Sequence, residues 1–285
     1  MLKFFGLIIV VASVFGGFVL ASGHLPALWQ PAEIIIVLGA AIGAYIISNP
    51  SSVLKDTLGQ LREIVSSEKE DPELYPQLFG LMNTLMVQIQ LNGLKILDEH
   101  IEKPFESSIF LTYPSVLRQP MLLNFLVDNL RLQSMGKLQA HEFQHLMEEE
   151  IHRLQVDRMR PSHAMHRTGE ALPGFGILAA VMGIIITMGA IDGPLTMIGV
   201  HVAAALVGTF MGVFACYCLF EPAASAMHHL IDRKIAQLQC AKAILVAQLS
   251  GKQPLLALDA GRRMIQEENR PTFLQLERYL AEEQQ

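Results

Sequence analysis

A possible zinc-binding string stands out among the residues whose types and spacing could do chemistry. His141-Glu142-Phe143-Gln144-His145 places two histidines one helical turn apart with a glutamate between them. Such histidines can bind zinc from one face of a helix, while the glutamate acts as the general base of a metalloprotease. The residues that follow are strongly charged, however, with glutamates at 148, 149 and 150, and no recognisable third-ligand motif follows. We therefore keep a membrane zinc protease only as an alternative, and we predict no metal or cofactor.

Three cysteines, Cys216, Cys218 and Cys240, are the next reactive groups. They form no even-numbered framework, and the first two lie two residues apart, so a helix would point them to different faces. We predict three free thiols.

Titratable side chains are missing from the most apolar part of the chain. Residues 173–191 and 195–220 contain no Asp, Glu, Lys or Arg, and their one ionisable side chain is His201. His201 and Glu33 fall near the outer ends of apolar runs, and we interpret both as interfacial residues that reach water. Ion transport through a bilayer needs titratable or coordinating groups at depth. If this chain conducts ions, the essential carboxylate must therefore come from a partner.

Four apolar stretches are long enough to cross a bilayer, namely residues 2–21, 32–48, 173–191 and 195–220. The mean hydropathy is +0.36, and only 17% of residues are charged. Since apolar runs alternate with ordinary polar sequence, we predict a polytopic membrane protein with soluble parts. The net charge of -6 gives no reason to expect nucleic-acid binding.

Basic residues predict the orientation of these spans. Residues 50–172 contain 12 Lys and Arg and residues 221–285 contain 8, whereas the short loops 22–31 and 192–194 contain none. The positive-inside rule therefore places both termini and the middle segment in the cytoplasm. A cleaved signal peptide is the alternative for the N-terminus, but the apolar run is long for one and no clear cleavage site ends it.

The two polar segments read as helical, and the predicted fold class is all-α. Prolines up to Pro161 divide the middle segment into pieces of helical length, and apolar residues recur at helical spacing from Leu78 to Ile101. The predicted organisation is a transmembrane hairpin (1–49), a cytoplasmic helical domain (50–172), a second, ion-channel-forming hairpin (173–220) and a cytoplasmic helical tail (221–285).

Small residues and two prolines mark the second hairpin. Several small residues fall four apart, as in Ala179/Gly183 and Gly208/Gly212, so that helix backbones can approach closely. The spacing fits packing within one bundle or a tight interface with other subunits, and it does not decide between them. Pro173 opens the third span, whereas Pro222 would break or kink a helix that continued from the fourth into the cytoplasm.

Taken in order, these segments resemble the MotA family of flagellar stator subunits, within the MotA/TolQ/ExbB proton channel superfamily. The most specific stretches are LPGFGILAAVMGIIITMG from Leu172 and VGTFMGVFACYCLFEPAAS from Val207. GLIIVVASVFGGFVLASG from Gly6, HIEKPFESSIFLTYP from His100 and RPTFLQLE from Arg270 also fit. The resemblance implies a non-enzymatic stator subunit in the bacterial inner membrane. It also implies a homo-oligomeric ring, a pentamer in that family, that encloses helices of a peptidoglycan-anchored, MotB-like partner within membrane lipid and pushes on the rotor protein FliG.

The resemblance also implies roles for particular residues. Pro173 and Pro222 match the prolines at which ion flow is coupled to movement, and Thr209 and Tyr217 match channel-lining positions. Ala180 falls where sodium-driven relatives have a threonine hydroxyl. Because its methyl group offers no oxygen to a hard cation, we expect protons to be the ion.

The rotor-facing positions match the family pattern less well. The acidic position falls at Asp98, but its basic partner position falls at the uncharged Gln90, so that Lys95 or Lys103 would have to supply the positive charge. A related alternative is an energiser of outer-membrane transport similar to ExbB or TolQ, but those relatives lack the N-terminal hairpin.

Overall fold

The computed structural model describes residues 2–66, 71–136 and 139–282, and within these ranges all regular structure is helical. The all-α prediction is confirmed. The helices are α1 (Leu2–Leu20), α2 (Pro31–Ser48), α3 (Ser51–Val65), α4 (Leu74–Asn92), α5 (Ile96–Ile101), α6 (Ser108–Leu111), α7 (Pro114–Leu117), α8 (Pro120–Ser134), α9 (Ala140–Gly189), α10 (Leu195–Ala215), α11 (Glu221–Leu249), α12 (Pro254–Arg262) and α13 (Phe273–Glu282).

Three described helices are long and apolar enough to cross a membrane: α2, α9, and the continuous helix that α10 and α11 form from Leu195 to Leu249. The first predicted span forms α1, whose apolar part Phe5–Leu20 is shorter. The helices thus occupy all four predicted apolar stretches. The number of four spans stays a prediction, because length and composition alone support it.

Contacts divide the described residues into two compact units. The first lies between Met1 and Ser67 and between Arg158 and His229, and the second between Glu68 and Asp157 and between Leu230 and Gln285. The predicted boundaries at 172/173 and 220/221 follow hydropathy, which changes within continuous helices here. Helix α9, for example, runs from Ala140 to Gly189 without a break at Pro161 or Pro173. The prediction that Pro161 ends a helix is therefore wrong.

The first unit is built on helix-to-helix packing of apolar side chains. Val37 and Ala41 of α2 lie in one buried cluster with Leu172 and Ala179 of α9 and with Cys216. Helix α1 joins through Phe15, whose ring contacts those of Phe210 and Phe214 in α10, with centroids 6.3 and 5.4 Å apart. These contacts position α9 and α10 side by side.

The second unit has an ordinary apolar core. Helix α4 buries a dense set of side chains, and Phe143, Met147 and Ile151 of α9 are also buried. The apolar pattern predicted over 78–101 is interrupted at Gly93, which has a φ of +79° and ends α4. Glycine adopts this left-handed conformation without steric cost, and a new helix begins at Ile96.

Candidate functional site

Helices α9 and α10 approach each other so closely that their glycines leave no room for a side chain. A Cβ on Gly212 would lie 2.5 Å from the carbonyl oxygen of Leu172, and one on Gly176 would lie 2.8 Å from that of Gly208. A Cβ on Gly183 would similarly lie 2.7 Å from the Cβ of Ala205. These small residues therefore serve packing within one chain. Gly189 and Gly199, by contrast, have nothing within 4 Å.

Pro173 lies inside α9 at this contact, one residue after Leu172. Proline has no N–H, so the carbonyl of Gly169, four residues earlier, has no helical donor. The helix nevertheless continues on both sides of Pro173, which is half-buried. The proline thus weakens one turn of α9 without ending the helix.

A π-helical turn precedes Pro222. Residues Cys216–Phe220 form this turn, and α11 follows directly at Glu221. Pro222 therefore lies inside the continuous helix that α10 and α11 form, directly after the π turn. The chain stays helical through Pro222, so the proline does not break the helix, and a kink there stays a prediction.

The segments around the two prolines contact each other. A Cβ on Gly169 would lie 2.9 Å from Oε1 of Glu221 and 3.1 Å from Cβ of Phe220. Two turns before Gly169 on α9, the buried Ser162 makes a second contact. Its hydroxyl donates a hydrogen bond of 2.8 Å to the carbonyl oxygen of Ala224, one turn after Phe220. The structure therefore joins the weakened turn before Pro173 to the residues that flank Pro222.

Thr209, Ala180 and Tyr217 occupy different environments around this contact. Thr209 is half-buried, and its Cα would lie 3.1 Å from a Cβ on Gly176. Ala180 is also half-buried and neighbours the fully buried Ala179. Tyr217 lies on the π turn with 66% of its surface exposed. Tyr217 is therefore the most exposed of the three.

Glu33 differs from its predicted environment. It lies in the first turn of α2, is only 7% exposed, and its Oε2 has no hydrogen-bond partner among the described residues. This Oε2 would lie 3.0 Å from a Cβ on Gly208. The prediction of a water-reaching side chain is therefore wrong, because Gly208 leaves space for the carboxylate between the helices. His201 is half-buried, and its Nδ1 is likewise buried without a described partner.

The predicted rotor-facing residues lie together on the second unit. Gln90 is near the end of α4, Lys95 is the N-cap of α5, and Asp98 lies in the first turn of α5. All three are exposed. Lys103 forms an ion pair of 2.9 Å with Glu106, which leaves Lys95 as the better candidate for the positive charge.

Sequence reasoning missed Glu150, which the structure distinguishes from the two glutamates before it. Its Oε2 accepts a hydrogen bond of 2.9 Å from Nδ2 of the buried Asn129. Burial raises the pKa of Glu150, and the negative charge of Asp128 adds to this, while the Asn129 bond opposes it. A perturbed carboxyl of this kind is a candidate functional group, but a run of three glutamates reads as a solvated face.

The zinc-binding string lies in the first turns of α9. His141, Glu142 and His145 are exposed, whereas Phe143 is buried in the core. Over the described ranges, no group of three or more potential metal ligands comes together. These histidines thus lie on a surface with no third ligand beside them.

Comparisons with known proteins agree along the whole chain. Residues 4–93 match the family profile described as Motility protein A N-terminal, and residues 118–240 match that of the MotA/TolQ/ExbB proton channel family. The chain is 49% identical over 284 residues to the chemotaxis protein LafT of Vibrio parahaemolyticus, with 100% of both sequences covered. It is 36% identical over 280 residues to motility protein A of Escherichia coli, covering 98% of this chain and 95% of that protein. The chain belongs to the MotA family.

Solved MotA-containing complexes share its fold. The MotAB structure from C. jejuni has a TM-score of 0.76 at 17% identity and covers 93% of this chain and 96% of that one. The stator complex from Bacillus subtilis has a TM-score of 0.72 at 21% identity, covering 90% and 92%. The MotA N-terminal match includes the first hairpin, which an ExbB- or TolQ-like protein would lack. The chain is thus a stator subunit of the flagellar motor with a proton-channel function, from a family of inner-membrane stator proteins that is not known for enzymatic activity.

Proposed function

We propose that copies of this chain form a ring around helices of a MotB-like, single-span and peptidoglycan-anchored subunit, and that Pro173 and Pro222 convert proton passage into movement. Both termini and the second unit lie in the cytoplasm in this proposal. The ring, a pentamer by family resemblance, sits in membrane lipid and acts on the rotor protein FliG.

The need for a partner carboxylate follows from the chemistry of the second hairpin. Its apolar stretches hold no acidic or basic side chain, and the buried Glu33 lies near the start of α2, not at mid-span. A proton cannot cross an apolar layer without a group to carry it at depth. The exposed Tyr217 and the open Gly189 and Gly199 offer surface on this hairpin for other subunits. Ala180 offers no oxygen ligand, which supports protons over sodium ions.

The contact between Gly169 and the residues Phe220 and Glu221 carries the mechanistic part of the proposal. A change in charge beside α10 displaces the π turn. The contact with Gly169 then transmits this displacement to the turn of α9 that Pro173 has weakened. Because the same helices continue into the second unit, a bend at either proline is transmitted to residues that face the rotor. Proton passage and force are coupled at this point.

Pro173→Ala tests this coupling. Alanine restores the missing N–H, and we expect loss of swimming and swarming while the protein accumulates normally in the membrane. Pro161→Ala is the matched control, because Pro161 also lies inside α9 but away from the α10 contact. Normal motility of the Pro173→Ala strain would overturn the coupling role.

A second experiment tests the partner. Purified chain in liposomes should carry no proton current by itself and should carry one when the MotB-like subunit is included. A current sustained by this chain alone would refute the need for a foreign carboxylate.

A further inference from the structure

His166 lies between two carboxylates where α9 meets the start of α11. Its Nδ1 is 2.8 Å from Oε1 and 2.7 Å from Oε2 of Glu221, and its Nε2 is 3.6 Å from Oε1 of Glu170. The His166 side chain is 51% exposed, whereas that of Glu221 is 28% exposed. The imidazole is therefore held on one edge and remains open to water.

This group adjoins the coupling site directly. Glu221 immediately follows the π turn and precedes Pro222. Its carboxylate rests against Gly169, which has no side chain to displace it, and Gly169 is one turn before Pro173. A titratable histidine is thus placed within a turn or two of both prolines, at the end of the spans that the proposed orientation assigns to the cytoplasm.

The carboxylate fixes the form of the imidazole. An ionised Glu221 can only accept hydrogen bonds, so Nδ1 of His166 carries a hydrogen and donates it. In the neutral ring, Nε2 then has a free lone pair. An imidazole with one free lone pair is the ordinary proton-exchanging group of proteins.

We propose that His166 is the proton-exchange group at the cytoplasmic mouth of the channel, with Glu221 as its positioning residue. The inference rests on the proposed function, since it assumes proton passage and a cytoplasmic location for these residues. A proton arriving through water binds to the Nε2 lone pair and gives an imidazolium beside Glu221 and Glu170. The same N–H bond then breaks, the proton passes to cytoplasmic water, and the neutral ring is restored.

Two carboxylates face the imidazole directly. A proton on Nε2 gives a cation between Glu221 and Glu170, whose negative charges stabilise it. The other titratable residues within four positions of His166 on α9 are His163 and Arg167. The adjoining apolar cluster contains Leu61 and Ile64 of α3, and Arg62 and Glu63 lie between these two in the sequence. A purely structural clamp is the competing role. The Ser162–Ala224 bond, one turn away, already joins the same two helices.

His166→Gln tests the proposal in cells that carry the full stator complex. Glutamine keeps a polar side chain of similar reach but cannot exchange protons near neutral pH. A rotor that turns fast under low load needs many proton transits per second, whereas a stalled rotor needs almost none, so slower proton transfer should reduce the low-load speed and not the stall torque. We expect the low-load speed to fall about twofold or more, because a positioned acid–base group speeds proton transfer by a larger factor. The stall torque should remain unchanged, and added imidazole should restore the speed.

Two further variants make the result decisive. His163→Gln, one turn earlier on α9, should leave both the low-load speed and the stall torque at the wild-type level. If His166→Gln does not accumulate in the membrane, Glu221→Gln decides the question by the same measurements, because it keeps an acceptor oxygen but removes the charge.

Two outcomes would overturn the proposal. One is a wild-type low-load speed in the His166→Gln strain. The other is an equal loss of speed and stall torque that imidazole does not restore, which would identify a structural clamp. The Pro173→Ala strain separates this inference from the proposed function. A motile Pro173→Ala strain refutes the proposed coupling, whereas a paralysed one beside an unaffected His166→Gln strain refutes only the role of His166.

Discussion

Replacing Gly212 by alanine tests the close packing of α9 and α10 most directly. The new Cβ would lie 2.5 Å from the carbonyl oxygen of Leu172 and 3.0 Å from Cα of Gly176. Both neighbours are backbone atoms of a helix and cannot rotate away. Ordinary van der Waals contact begins at 3.4 Å, so the two helices must separate by about 1 Å beside Pro173.

The expected cost follows from this displacement. Inserting a methyl group into a well-packed contact destabilises by about 1–3 kcal/mol. The better helix propensity of alanine returns about 1 kcal/mol, which does not cancel the larger end of that range. A shift of about 1 Å near a functional centre can cost on the order of a hundredfold in rate. We therefore expect Gly212→Ala to abolish or nearly abolish motility, even where the protein still accumulates.

Swarm expansion in soft agar, together with immunoblots of the membrane fraction, measures the effect. Gly176→Ala should be impaired as well, but less, because its nearest contact would be 2.8 Å. Gly59→Ala is the control, because Gly59 also lies inside a helix, α3, and nothing lies within 4 Å of its Cβ position among the described residues. Swarming and membrane levels that match wild type in the Gly212→Ala strain would refute the backbone contact.

Three other predictions concern charged groups. Asp98→Lys should reduce swarming far more than Glu99→Lys, its exposed neighbour, if Asp98 faces the rotor; equal effects would remove Asp98 from that role. Glu33→Gln should accumulate normally, since the amide occupies the same volume as the carboxylate. Glu33→Arg should lower the amount of protein in the membrane, because the space beside Gly208 does not admit a longer side chain. A normal amount of the Glu33→Arg protein would contradict the buried position. Burial tends to raise the pKa of Asp259, but hydrogen bonds from Arg262 and Arg263 outweigh it and hold that pKa below its usual range. Asp259 therefore stabilises the fold above a pH of about 4, and this contribution is lost as the pH falls through its lowered pKa. Asp259→Asn should lower the free energy of unfolding of the purified protein at neutral pH by about 1.5–3 kcal/mol, which is measured as a lower thermal midpoint. Glu277→Gln, at an exposed position, is the control, and an unchanged midpoint in the Asp259→Asn protein would refute the prediction.

Much of the architecture could be predicted because apolar length and helical spacing are local properties of the sequence. The four apolar stretches all became helices, and the small-residue spacing of Gly208 and Gly212 correctly indicated close packing. Pro173 and Pro222 came from the family resemblance, and the structure adds the contact that joins their surroundings. The physical roles of the two prolines stay predictions.

The errors arose where the environment depends on a neighbouring helix. Glu33 looked interfacial because its position in α2 is near an apolar end, but its burial is set by the missing side chain of Gly208. Pro161 looked like a helix terminator, yet it is buried and α9 continues through it. The π turn has no signature in the sequence, since it is a single added residue among apolar ones.

The π turn has a consequence for the side of the fourth span that faces α9. In a regular helix, residues four apart turn by about 40° relative to one another, because 3.6 residues make a turn. Gly208, Gly212, Cys216, Phe220 and Ala224 are spaced by four, so a regular helix would spiral them away from α9. All five instead contact or cluster with residues of α9 or its bonded neighbours. The π turn, with more residues per turn, reverses this rotation and returns the later residues to the side that faces α9. Removing one residue from it would rotate every later side chain of α11 by about 100° and would separate Glu221 from His166.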